Sequence, residues 1–201
     1  MSRLRRTDGF AAVELLVASM VGALVLVAGI ELLRVHARVA RGLQVRLGSL
    51  GGAAWALSVA SRDVATAGGD PRRSGVEALG RAEVGRMVLG ADRDGDGGVD
   101  PATAERVTLA WSSSGGGRLV RWLGTQSTGI AATVRSSGLR FRFFAADGSE
   151  LTGPGGVLDD AKRARVRLVT SDLEVTERSG TMAETTTLRG AAALRTRIEE
   201  R

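Results

Sequence analysis

The sequence predicts an α+β chain, in which one long N-terminal helix packs on a globular domain built from an antiparallel β-sheet. Three observations carry this expectation. Phe10 to Ile30 is a run of 21 residues with one charge, Glu14. Apolar or small residues then recur at helical spacing until Gly68-Gly69-Asp70-Pro71. Beyond that point short segments alternate apolar and polar residues and are punctuated by Gly, Asp and Ser, the pattern of strands joined by turns. A chain of 201 residues suits one globular domain with an extension; without Phe10 to about Ala65, ~135 residues remain, enough for one modest core.

Residues 10–33 come first as a membrane-spanning helix, because about 20 predominantly apolar residues suffice to cross a bilayer. No proline interrupts them, and Gly22 and Gly29 permit close helix packing. A carboxylate at mid-membrane costs at least ~2.5 kcal/mol unless it finds a partner, so Glu14 is a candidate functional residue. Arg3, Arg5 and Arg6 lie just upstream, where positive charge favours the cytoplasmic side. A secretory signal would be cut after its apolar region at a small-residue site, and no clean site of that kind follows. A plain signal anchor accounts for the arginines and the length, but not for Glu14 or the Gly9-Phe10 junction.

The basic leader, the Gly9-Phe10 junction, Glu14 four residues on and the long apolar helix together resemble the class III signal of type IV pilins and type II secretion pseudopilins. The resemblance implies that residues 1–9 are a leader, removed between Gly9 and Phe10 by a prepilin peptidase on the cytoplasmic side, which then methylates Phe10. It implies that Glu14 pairs with the N-terminal ammonium of a neighbouring subunit as helices pack into a filament. Two groups that are each costly in lipid reduce that cost by meeting. The implied partners are other minor pilins and the major pilin, through their N-terminal helices, together with the inner-membrane assembly platform.

Residues 34–68 continue as an amphipathic stem. From Leu43 a heptad-like stripe runs through Leu47, Leu50, Ala54, Leu57, Ser61 and Val64; the resemblance implies that it docks on the globular sheet, and the alternative is a soluble coiled coil. Gly42, Gly48, Gly51 and Gly52 each cost up to about 1 kcal/mol relative to Ala, so packing must hold this helix. Gly68-Gly69 and Pro71 then stop it. The segment Asp63-Val64-Ala65-Thr66-Ala67-Gly68-Gly69-Asp70-Pro71 also resembles the stem end of PilW-type minor pilins.

Residues 69–201 form the globular domain, which the family would place in the periplasm. Residues 72–84 read as a loop or short helix, and Val84 to Ala91 as a short apolar strand. Arg106–Trp111 and Arg118–Leu123 form a hairpin around a Ser/Gly loop, 112–117. Leu139–Ala145, Arg163–Thr170 and Thr185–Leu194 complete the strands, with a solvated arginine face on Arg163, Arg165 and Arg167. Trp111, Trp122, Phe141 and Phe143 are read as sheet-face packing rather than a stacking platform.

One motif carries metal chemistry. Asp92-Arg93-Asp94-Gly95-Asp96-Gly97-Gly98-Val99-Asp100 opens like a calcium loop, with carboxylates Asp92, Asp94, Asp96 and Asp100 at positions one, three, five and nine and Gly97 at six. Position twelve is Thr103 rather than a bidentate Glu, and Glu105 comes two residues late. The alternative is a solvated Asp/Gly turn; PilW-type proteins often carry such a segment.

The net charge of +6 is concentrated at the front: residues 1–69 hold eight basic and four acidic side chains, the remainder 20 and 18. A nearly balanced domain lacks the footprint of a phosphate binder, so nucleic acid is not an expected partner. With no cysteine and only His36, no Ser/His or Cys/His arrangement can be assembled, and no enzyme activity is expected. The reading is a minor pilin or pseudopilin, single-pass in the inner membrane, that primes or caps a filament. Two alternatives stand beside it: a signal-anchored periplasmic calcium module, and a DNA-uptake pilin using Arg140, Arg142, Arg163, Arg165 and Arg167.

Overall fold

A computed structural model describes residues 7–114, 117–132, 134–179 and 182–195. Residues 1–6, the Gly115-Gly116 tip of the Ser/Gly loop and Glu199-Glu200 lie outside the described residues, as do the side chains of residues 7–10. The chain divides into two compact units, residues 1–45 and residues 46–201. The α+β class stands: one long helix, α1 (Thr7–Thr66), precedes antiparallel β-structure.

In the first unit α1 is the sole regular element among the described residues, and every side chain from Ala11 to Arg41 is exposed. Among the described residues the helix already runs from Thr7, so it includes Gly9 as well as Phe10. It runs unbroken through Gly22 and Gly29, where an added Cβ would meet nothing within 4 Å. The hydroxyl of Ser19 donates back to the carbonyls of Leu15 and Leu16 at 2.9 and 3.0 Å. Its hydrogen-bonding need is thereby met inside the apolar run.

The second unit holds the end of α1 and two sheets rather than the one expected. Sheet A comprises β1 (Leu79–Glu83), β2 (Arg86–Gly90), β3 (Arg106–Ser112), β4 (Arg118–Leu123) and β5 (Gln126–Ala132) in sequential order. Sheet B takes β6 (Val134–Phe144), β7 (Glu150–Leu151), β8 (Leu168–Ser179) and β9 (Met182–Ala193) in the order β7-β6-β8-β9. The tip of the β1–β2 hairpin joins them: Phe141 N–H donates to the carbonyl of Val84 at 2.7 Å, and Val84 N–H donates to that of Gly156. One core runs between the layers, with Leu109 and Leu119 from sheet A, Phe141 and Leu173 from sheet B, and Ala56 and Ala60 from α1.

Four expectations are corrected. Segment 72–84 is not all loop, because its last residues pair as β1 with β2. β5 went unforeseen: its polar Gln126-Ser127-Thr128 start hides a strand that a two-residue turn, Gly124-Thr125, returns against β4. Gly124 holds φ +56°, the left-handed conformation that such tight hairpins need, and a Cβ there would lie 2.2 Å from the carbonyl oxygen of Ala102. Arg163–Thr170 is not one strand. Asp159 caps a short helix, α2 (Asp160–Arg165), by accepting from Lys162 N–H at 2.8 Å, and β8 starts only at Leu168. The basic residues in the last turn of α2 suit its dipole, so the alternating arginines belong to a helix end.

The fourth correction concerns the stem stripe. Leu57 and Val64 are buried as expected, but Leu43 and Leu47 are 54% and 70% exposed and Ala54 is exposed too. The docked face is instead Ala53, Ala56, Leu57, Ala60, Asp63, Val64 and Ala67. Alanine dominates because the approach is close: a Cβ on Gly190 of β9 would lie 3.5 Å from the Leu57 Cβ and 3.3 Å from the Ser61 Oγ. Asp63 on this face forms a bidentate pair with Arg121 of β4, both contacts 2.6 Å, which locks the helix rotation against sheet A. The Asp63 hydrogen bond, opposed by desolvation, holds the Arg121 guanidinium above its usual pKa.

Candidate functional site

Gly9, Phe10 and Glu14 lie on one uninterrupted helix, with Phe10 and Glu14 a single turn apart. α1 is long and apolar enough to cross a membrane, and lies near the N-terminus. Glu14 is exposed and makes no hydrogen bond or ion pair with any described residue. Glu31, the next acidic residue of the helix, pairs with Arg34 one turn on. The leader arginines belong to residues outside the described ones.

The Asp/Gly loop brings three of its four expected carboxylates together. Oxygens of Asp92, Asp94 and Asp96 all lie within 4.8 Å of one another, with Asp92 buried and the other two exposed. Asp100 stands apart from that group and accepts from Ala102 N–H at 2.8 Å. The loop shapes itself through its own backbone. Asp92 accepts from Gly95 and Gly97 N–H at 2.6 and 3.1 Å, Asp94 from Asp96 N–H, and Asp96 from Gly98 N–H. Gly95 and Gly97 adopt φ +78° and +95° to allow it.

The residue that sequence reasoning undervalued is Glu105. Its Oε1 accepts from Arg93 and Asp94 N–H at 2.7 and 3.2 Å, and its Oε2 from Asp100 N–H at 2.9 Å. These bonds, the one from Asp100 first, hold its carboxyl below the ordinary range. The sequence places Glu105 two residues beyond the expected closing position, but spacing does not mark the backbone amides it accepts from. Thr103 is engaged with the Asp100 carbonyl and with Glu105 N–H. Calcium takes six to eight oxygens; the three clustered carboxylates could hold a cation, while Thr103 and Glu105 are engaged with the backbone of the loop.

The expected arginine face is divided among elements. Arg140 and Arg142 lie on β6, Arg163 and Arg165 on α2, and Arg167 follows it. Arg142 and Arg189 share Asp172, at 3.6 and 2.5 Å, and Arg163 is held by Glu77 and Asp160 at 3.1 and 3.0 Å. Phe141 and Phe143 are buried, and Trp111 donates its indole N–H to the Val134 carbonyl at 2.9 Å. These aromatic rings serve packing, in keeping with the sequence reading. No family model matches the chain, and no curated protein or solved structure is significantly similar to it.

Proposed function

We propose that this chain is a minor subunit of a type IV pilus-like or type II secretion filament, processed between Gly9 and Phe10 and assembled through its N-terminal helix. The observation that carries the reading is Glu14, the one charge from Phe10 to Ile30 and unpaired among the described residues. A carboxylate without a partner among the described residues, on a membrane-length helix, calls for one. The new ammonium at a neighbour's Phe10 has the right charge and membrane depth. The globular unit supports the reading by what it offers in packing: a helix docked by small residues on antiparallel sheets. The family would seat the protein in the inner membrane with this unit in the periplasm, beside other minor pilins, the major pilin and the assembly platform.

The variant Glu14→Val tests the reading. Its insertion into membranes should match wild type, because removal of a charge only makes the span more apolar. Its recovery in sheared filaments, or the number of filaments, should fall at least tenfold. Filaments formed in normal number by this variant would remove the ground for the pairing.

A further inference from the structure

A cleft of about 1030 Å³ opens beyond the end of α1, between the segment that follows the helix, the start of the Asp loop, the end of α2 and the residues after β9. Five arginines line it: Arg73, Arg93, Arg163, Arg167 and Arg195. It also contains three carboxylates, each already committed. Asp70 accepts from the N–H groups of Ser74, Gly75 and Val76. Asp92 is taken up by the amides of its own loop, and Glu77 by Arg163. Arg167 donates to the neutral carbonyls of Ala164 and Val166, which leaves its charge uncompensated. Arg93 and Arg195 are exposed and form no ion pair with a described carboxylate. The floor is formed by Leu79, Val166 and Leu194, core residues that line the cleft while staying almost wholly buried.

The backbone is strained at the same place. Arg73 has φ +57°, the one non-glycine in the left-handed region among the described residues. The turn around it is fixed by the four bonds that Asp70 accepts from Ser74, Gly75 and Val76. Such strain persists only where the surroundings over-determine it, and it gathers at ligand clamps.

We infer that this cleft binds an acidic, partly apolar peptide segment of a partner protein, with its carboxylates on Arg93, Arg167 and Arg195 and its apolar side chains on the floor. Guanidinium groups favour paired hydrogen bonds to carboxylates. A dense phosphate chain fits less well, because Asp70, Glu77 and Asp92 stand in the walls. The inference does not depend on filament assembly and holds equally for a membrane-anchored chain.

The test uses the full chain in detergent micelles and a short fluorescent peptide alternating glutamate and leucine, followed by anisotropy. Wild type should bind it, the lysine-leucine counterpart should not bind, and added salt should weaken the complex. The variant R93Q/R195Q should bind roughly tenfold or more weakly, since two charge-assisted contacts are lost. R93K/R195K should recover part of that loss, and R86Q, on β2 away from the cleft, should bind like wild type. Because both altered side chains are exposed, the melting temperature of R93Q/R195Q should equal that of wild type; should it not, the single variants R93Q and R195Q carry the comparison. Equal binding by wild type and these variants would overturn the inference, as would absence of peptide binding. Displacement of the peptide by an oligonucleotide at matched concentration would also overturn it, in favour of a phosphate site.

Discussion

At the scale of single residues, carboxylates that accept backbone N–H groups set the shape of the loops. Glu105 draws together three amides of the Asp loop, and Asp70 draws together three amides of the turn after α1. Desolvation pushes the Asp70 carboxyl up, but the bonds from Ser74, Gly75 and Val76 outweigh it and bring it to about 2. Both groups are thus more acidic folded than unfolded. Their stabilisation is complete above the ordinary carboxylate values, about 3.9 for Asp and 4.3 for Glu, and is lost as pH falls through the lowered ones. Thermal melts of the full chain should be flat above about pH 5 and fall steeply toward about pH 2. Glu105→Gln should lower the melting temperature at neutral pH and make the upper part of that acid slope shallower. An unchanged slope would show that Glu105 does not contribute to it. Gly124 is the other decisive single residue: Gly124→Ala combines φ +56° with a 2.2 Å approach to the Ala102 carbonyl oxygen. It should cost at least ~2 kcal/mol in a urea titration.

At the scale of elements, the stem helix separates what the sequence makes plain from what it conceals. Its existence and its end were legible, because Gly68-Gly69 and Pro71 punctuate a helical period, and Gly68 indeed takes φ +75°. Its docked face was not. Leucine at 43 and 47 suggested the wrong register, since hydrophobicity ranks leucine above alanine, while the docked face surrounds Leu57 and Val64 mostly with alanines. Ala60→Leu, at a fully buried position, should destabilise by ~1–3 kcal/mol through overpacking. Leu47→Ala, at a position 70% exposed, should stay within ~0.5 kcal/mol. The opposite ranking would restore the leucine stripe. α2 was hidden for a related reason: alternating arginines imitate a strand, and only the Asp159-Asp160 pair marks the cap. β5 was hidden because solvent-facing polar residues at an edge carry no period-two signal. The front of the Asp loop was readable from its spacing, yet its anchor, Glu105, acts through backbone amides that no spacing rule counts.

At the scale of the whole molecule, a membrane-length helix and a two-sheet unit divide the work. The second unit is stabilised from within, by one core and by the Asp63–Arg121 pair. The first has no internal partner for its apolar residues, nor for Glu14 among the described residues. On the proposed function, lipid and neighbouring helices supply the first, and a neighbour's amino terminus the second. That account requires the amine to be made by cleavage at one bond. Intact-mass analysis of the chain extracted from membranes of a host that assembles filaments tests this most directly. The account predicts a polypeptide that begins at a methylated Phe10; a mass that still includes Met1 to Gly9 would contradict it.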